Sequence, residues 1–301
     1  MFRKIKYILI IIIAFVVADR GIGWFLRTGT DKYYGLDQHS EILMIGHSEL
    51  MLAVDKSAME QQTGKKISKY CRQGVNIRDR YEMVMHYFSL PVADSLKTVI
   101  YGVDPFLFND AGELSNNSYK LFYPFIGEDN FDVYIRNNAK DDFDYYAHKL
   151  ICCSRYNDEL INCSVRGWLK NWDNMKFGKV NIKNTIAAAN EGRITKIAPD
   201  TAQIRVFKET INYIVGKGYR VVLLNTPNVF PLIASNGDAY RSIIKMYEEI
   251  AKHPQIDFWT FDKEISRQYD LFFDNIHLNN EGQKVCSKKI ANKILELSTS
   301  K

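Results

Sequence analysis

Short apolar runs that each end in a glycine or a tight turn, separated by stretches of helical spacing, predict an α/β protein with a parallel sheet and helices on both faces. The composition agrees: 301 residues with 46% hydrophobic, 13% aromatic and 25% charged side chains describe a globular chain able to bury a sizeable core. A third observation sets the N-terminus apart, because a cationic cluster leads directly into an apolar run.

That leader comes first in order. Arg3, Lys4 and Lys6 precede the unbroken apolar segment Tyr7 to Ala18. At about 1.5 Å per residue this segment alone is shorter than a ~30 Å hydrocarbon core. Apolar character resumes after Asp19-Arg20 with residues 21–26, so a helix from about Tyr7 to Leu26 reaches across, with Trp24 as an interfacial anchor. Val16-Val17-Ala18 also fits the small-residue rule of a cleavage site, so residues 1–26 read either as a membrane anchor or as a signal peptide. Both readings place the rest of the chain on the extracytoplasmic side, since the Lys/Arg cluster stays inside.

Residues 27–41 read as a polar connector, and 42–301 as the α/β domain. Ile42–Ile45 is a buried strand entering a turn at Gly46, and Leu50–Gln62 a helix with Gly64 near its stop. Ile67–Cys71 is a second strand, closed by a turn at Gly74. Asp79–Phe88 has helical spacing and ends before Pro91, and Thr98–Tyr101 is a third strand ending at Gly102. The rhythm then breaks from about 109 to 200, an aromatic and polar insertion that is partly helical. Order returns with a helix at Thr201–Val215, the strand Arg220–Leu224, the turn Asn225-Thr226-Pro227, a helix at Ala239–Lys252 and a strand at Ile256–Phe261. The last helix, Asn280–Leu297, carries an Asn280…Gln283 capping box and an apolar stripe that includes Cys286, Ile290 and Ile294.

The formal net charge is +5, but the leader supplies +3 of it. The remaining chain carries 36 basic and 34 acidic residues with no Lys/Arg block, which excludes a nucleic-acid partner. Five cysteines (Cys71, Cys152, Cys153, Cys163, Cys286) form no Cys-x-x-Cys pair, and neither a metal nor a cofactor is expected. Outside the cytoplasm Cys152 or Cys153 pairs with Cys163, or all remain free thiols. The Asp141–Asp144 cluster reads as a solvated face rather than a cation site. Trp168 and Trp172 read as packing residues rather than a sugar-stacking platform, given their helical spacing.

In a parallel sheet, function collects beyond the carboxyl ends of the strands. Gly46-His47-Ser48 puts a serine there, at the entry of a helix and close to backbone N–H groups that suit a nucleophile and its oxyanion. Asp274-Asn-Ile-His277 precedes the final helix, and its spacing lets the carboxylate hold the imidazole within one turn. Gly74 and Gly102 mark turns after two further strands.

Together these blocks resemble the SGNH/GDSL hydrolase superfamily, over about Ile42 to Leu297 apart from the insertion. Phe273-Asp-Asn-Ile-His-Leu-Asn-Asn-Glu-Gly282 is the most specific part. The resemblance implies a three-layer α/β/α, flavodoxin-like fold with Ser48 as nucleophile, His277 as general base and Asp274 as its orienting partner. It also implies an oxyanion hole from the N–H groups of Ser48 and Gly74. The family's third block reads Gly-x-Asn, whereas this chain has Gly102-Val103-Asp104, and an ionised Asp donates no hydrogen bond. Asp104 is therefore protonated, or Asn76 or Asn225 replaces it, or the protein is slow or inactive. The layout of anchor, exported domain and enlarged middle is similar to bacterial proteins that add or remove acyl groups on envelope polysaccharides. It implies an acylated polysaccharide or small acyl ester as substrate, and a membrane acyltransferase as a partner. The same scaffold without catalysis, binding glycan or a membrane partner, is the alternative.

Overall fold

The computed structural model describes residues 2–109 and 112–299. Residues 110 and 111 of the expected insertion, Met1 of the leader and 300–301 of the expected domain lie outside the described residues. The first helix, α1, runs Phe2–Tyr34, followed by β1 (Ile42–Gly46), α2 (Ser48–Ala53), α3 (Lys56–Thr63), β2 (Ile67–Cys71), α4 (Ile77–Ser89) and β3 (Thr98–Val103). Three helices of the central region come next, α5 (Asp129–Asn138), α6 (Asp142–Leu150) and α7 (Asp158–Trp168). The chain continues with α8 (Ile182–Asn190), α9 (Thr201–Gly216), β4 (Arg220–Asn225), α10 (Phe230–Ile250), β5 (Ile256–Thr260), α11 (Asp262–Ile265) and α12 (Asn280–Thr299).

Two compact units share these elements: Met1–Tyr34 with Asn116–Asn171, and Gly35–Ser115 with Trp172–Lys301. The second unit is the α/β fold that the sequence predicts. Its five strands are all parallel in the order β2-β1-β3-β4-β5, the flavodoxin-like order. Near-continuous apolar strands follow from burial on both faces. Ile42, Met44, Ile100, Val222 and Leu224 pack on one side with Met59, Cys286, Ile290 and Ile294 of α3 and α12. On the other side Tyr101 meets Phe207 of α9 edge-to-face, with ring centroids 5.7 Å apart.

Element ends differ from the sequence reading where a cap or kink intervenes. Leu50–Gln62 is two helices, because Val54 is extended and the Asp55 side chain caps α3 by accepting from Ala58 N–H. An Asn76–Asp79 capping box starts α4 ahead of Asp79. α10 starts well before Ala239, with Pro231 in its first turn, and is kinked at Gly237, where φ is 24°. The cap of α12 comes from Asn279, one residue earlier than expected: its Oδ1 accepts from the N–H groups of Glu281 (3.1 Å) and Gly282 (3.0 Å). Gln283 faces inward instead, donating to the carbonyls of Val54 and Trp172 and accepting from Asn174 N–H.

The first unit is helical. α1 stays helical through Tyr34, into the residues read as connector, because it packs there against α7. A Cβ on Gly167 would stand 1.8 Å from the Gly29 carbonyl oxygen, so the two backbones touch where neither residue has a side chain. Residues Arg3–Tyr34 have a mean hydropathy of 2.2 in their most apolar window, long and apolar enough to cross a membrane. None of the five cysteines is joined in a disulfide. Asp144 of the acidic cluster accepts hydrogen bonds from Tyr119 and Tyr123. Trp168 stacks on Phe25 (5.2 Å) and, in the second unit, Lys56 sits over the Trp172 ring, so packing occupies both indoles.

Candidate active site

The site is assembled at the carboxyl ends of β1, β2 and β3. Gly46 ends β1, His47 caps α2, and Ser48 is the first residue of that helix. Glycine is required at 46 because Leu50 folds back over the strand ends. A Cβ on Gly46 would lie 2.9 Å from Leu50 Cβ, and one on Gly102 would lie 3.2 Å from the same atom. Gly102 therefore makes room for a side chain within β3 rather than turning an N–H toward the site. Gly74 is a true turn, with φ 80°, and the residues after it, Val75 and Asn76, reach the cavity wall.

The residues predicted to act together converge. Ser48 Oγ lies 2.8 Å from His277 Nε2, and His277 Nδ1 lies 2.8 Å from Asp274 Oδ2. The loop carrying the last two is closed by its own backbone. Asp274 Oδ1 accepts from the N–H groups of Ile276 (3.0 Å) and His277 (2.8 Å), while Phe273 N–H donates to the His277 carbonyl (2.8 Å). One carboxylate oxygen thus fixes the turn and the other fixes the ring, leaving Nε2 to accept from the serine hydroxyl. Burial pushes the Asp274 carboxyl up, but the His277 hydrogen bond and the two amides outweigh it and hold the group below the ordinary Asp value.

Beside Ser48 lies a polar cluster that the sequence did not reveal. His47 Nδ1 accepts from Glu49 N–H at 3.2 Å, so Nε2 carries the hydrogen and donates to Asp104 Oδ2 at 2.9 Å. Burial and the nearby Arg80 charge push His47 below its ordinary value, against the pull of Asp104. Asp104 is almost fully buried, and its other oxygen accepts from Phe106 N–H at 2.8 Å. Burial alone would raise it, yet His47, Arg80 and that amide hold it below the usual carboxylate range. Asp104 is therefore ionised, with both oxygens already accepting, and His47 and Asp104 form one matched hydrogen-bonded pair. Glu49 is also buried; its Oε2 accepts from Thr226 Oγ1 and Asn228 Nδ2, each at 3.0 Å. Burial, then the Asp104 charge, raises Glu49 well above the ordinary Glu value, which favours its protonated form.

Of the two asparagines considered as replacement donors, Asn76 borders the cavity. Asn225 does not serve, since its amide donates to Thr260 and Asp262 behind the sheet end. The cavity beside Ser48 measures about 540 Å³. Phe106, Ile194 and Leu232 form apolar parts of its wall, and Arg80, Asn76 and Arg193 polar parts. His47, Glu49 and Asp104 are close enough together to hold a cation by donor type alone. The buried Arg80 guanidinium, which donates to the Gly102 carbonyl (2.8 Å), already places a positive charge against this cluster.

No family model matches the chain, and no curated protein matches it. Among solved structures, the chain is similar to the lipase Lip_vut3 from goat rumen metagenome, at 13% identity and a TM-score of 0.40, over 83% of this chain and 94% of that one. It is also similar to a Streptococcus pneumonia structure provisionally described as a platelet activating factor, at 11% identity and a TM-score of 0.39, over 96% and 98% of the two chains.

Proposed function

We propose that the protein is a serine ester hydrolase or O-acyltransferase of the SGNH type, held at the membrane by α1 and acting outside the cytoplasm on acylated envelope glycans. The observation that carries this reading is the unbroken hydrogen-bonded chain from Asp274 through His277 to Ser48 Oγ at the mouth of a cavity. Ser48 Oγ attacks the ester carbonyl carbon as its proton passes to His277 Nε2. The imidazolium, stabilised by ionised Asp274, then protonates the departing alkoxide. The acyl-serine bond is broken by water in hydrolysis or by a sugar hydroxyl in transfer, with the incoming O–H proton returned through His277. Ser48 N–H and Gly74 N–H are the proposed donors to the oxyanion. The ionised pair-bonded state of Asp104 supports a hole lacking the usual Asn side chain, and removal of one such donor slows acyl transfer by ~10²–10³-fold.

That same state of Asp104 favours one second reading, a non-catalytic scaffold that binds glycan. The deciding assay is acetate release from O-acetylated polysaccharide and from 4-nitrophenyl acetate. Turnover that is abolished by Ser48→Ala supports the enzyme. Folded wild-type protein that turns over neither ester, yet binds the polysaccharide, supports the scaffold.

A further inference from the structure

α6 is built with its polarity reversed for a helix facing water. Its inward residues are the hydrogen-bonding ones: Tyr145 donates to Asp132, His148 stacks on Tyr123 at 3.9 Å, and Asp144 accepts from Tyr119 and Tyr123. Beyond the exposed Asp142 of its first turn, its outward residues are apolar or aromatic. Phe143 is 82% exposed, Tyr146 46% and Leu150 65%, spaced three and four apart so that they share one face. Ile151, immediately after the helix, continues the stripe. A face of this kind in water loses the hydrophobic stabilisation that selects outward polar residues elsewhere.

What lies against it follows from where α6 ends. The last carbonyl of the helix, Leu150 O, accepts from Arg20 Nη2 at 3.0 Å. The next turn is held by Asp19, whose two oxygens accept from the N–H groups of Cys152 (2.9 Å) and Cys153 (2.8 Å). Gly23 gives the turn its seat, since a Cβ there would stand 2.4 Å from Cys152 Cβ. The exposed apolar surface of α1 runs from Ile5 to Val17, is interrupted at Asp19 and Arg20, and resumes with Ile22, Trp24 and Phe25. The exposed stripe of α6 is therefore tied to the polar Asp19–Arg20 step near the outer end of the apolar segment of α1.

We infer that α6 and the turn after it lie in the interfacial layer of the same lipid bilayer that α1 enters, with Phe143, Tyr146, Leu150 and Ile151 inserted among the acyl-chain ends. The inference rests on the reading of α1 as a membrane anchor. The stripe is uncharged, so insertion is apolar and does not require anionic lipid. A rise of 1.5 Å per residue makes the stripe from Phe143 to Leu150 about 10 Å long, suited to lying along a surface rather than crossing it.

The test uses the full-length protein in phosphatidylcholine vesicles that carry a photoactivatable diazirine in the acyl chain, with labelled peptides mapped by mass spectrometry. Expected is lipid adduct on residues 143–151 as well as on α1. Double substitution of Phe143→Ser and Leu150→Ser, both exposed and so compatible with folding, reduces the 143–151 adduct at least tenfold and leaves the α1 adduct unchanged. Adduct confined to α1 overturns the inference while keeping the anchor. Absence of adduct on α1 removes the anchor reading on which the inference stands.

Discussion

Replacing Asp274 with Asn isolates the carboxylate from the loop it stabilises. The Asn side-chain oxygen can still accept from the amides of Ile276 and His277, so the turn is kept. What changes is the group facing His277 Nδ1, now 2.8 Å from a carboxylate oxygen. During acyl transfer the imidazole becomes a cation. Unit charges about 4 Å apart attract by about 4 kcal/mol at an effective dielectric of 20 and by about 1 kcal/mol in water. The Asp274 side chain is 44% exposed, so the working figure lies between these, about 2 kcal/mol. At about 1.4 kcal/mol per factor of ten this is roughly 30-fold in rate. The Asn NH₂ also favours the tautomer that turns a hydrogen toward Ser48, which brings the expected loss in kcat to about 10²–10³-fold. The assay is kcat on 4-nitrophenyl acetate for wild type, Asp274→Asn and Asp274→Ala, with thermal melts of each. A folded Asp274→Asn protein within threefold of wild type would refute the orienting role.

Glu49 predicts a pH dependence of stability. Its folded pKa lies well above the unfolded one, so folding takes up a proton. The wild type is stabilised below the unfolded value, about 4.3, and loses that stability as pH rises toward the folded value, by at most about 1.4 kcal/mol per pH unit. Glu49→Gln keeps an acceptor for Thr226 and Asn228, and its Tm is expected to fall less than the wild type's between pH 5 and pH 8; parallel melting curves would contradict this. Gly46→Ala forces a Cβ to within 2.9 Å of Leu50 Cβ, an atom of the helix rather than a flexible tip, and so displaces Ser48. Esterase activity should drop by about 10²-fold with the protein still folded, as expected for a misplacement near 1 Å. Gly167→Ala places a Cβ against the Gly29 carbonyl in the helical unit, and a destabilisation of about 3 kcal/mol or more should appear in chemical denaturation.

The parts of the site legible from sequence are those whose geometry is local. Asp274 and His277 meet within one turn, and Ser48 stands where a buried strand passes into a helix, so spacing and pattern suffice. The cluster beside them was not legible, because it is built from remote segments. Glu49 is recognisable as buried only once Thr226 and Asn228 arrive from the turn after β4. Asp104 reads as a defective donor because its partner, His47, lies 57 residues away in the sequence. Gly102 shows a different limit: a missing Cβ serves a turn or a close neighbour, and the sequence does not say which. In the acidic cluster, Asp141 and Asp142 are exposed as their charge suggests, while Asp144 turns inward to Tyr119 and Tyr123, residues too remote in sequence to mark it.

Every step of the proposed chemistry requires that His277 activate Ser48 as a nucleophile. Full-length protein treated with a fluorophosphonate and analysed by intact mass and peptide mapping should gain a single adduct on Ser48, absent from Ser48→Ala and strongly slowed in His277→Ala. Folded wild-type protein that remains unmodified, or that is modified at another serine while Ser48 stays free, would contradict it.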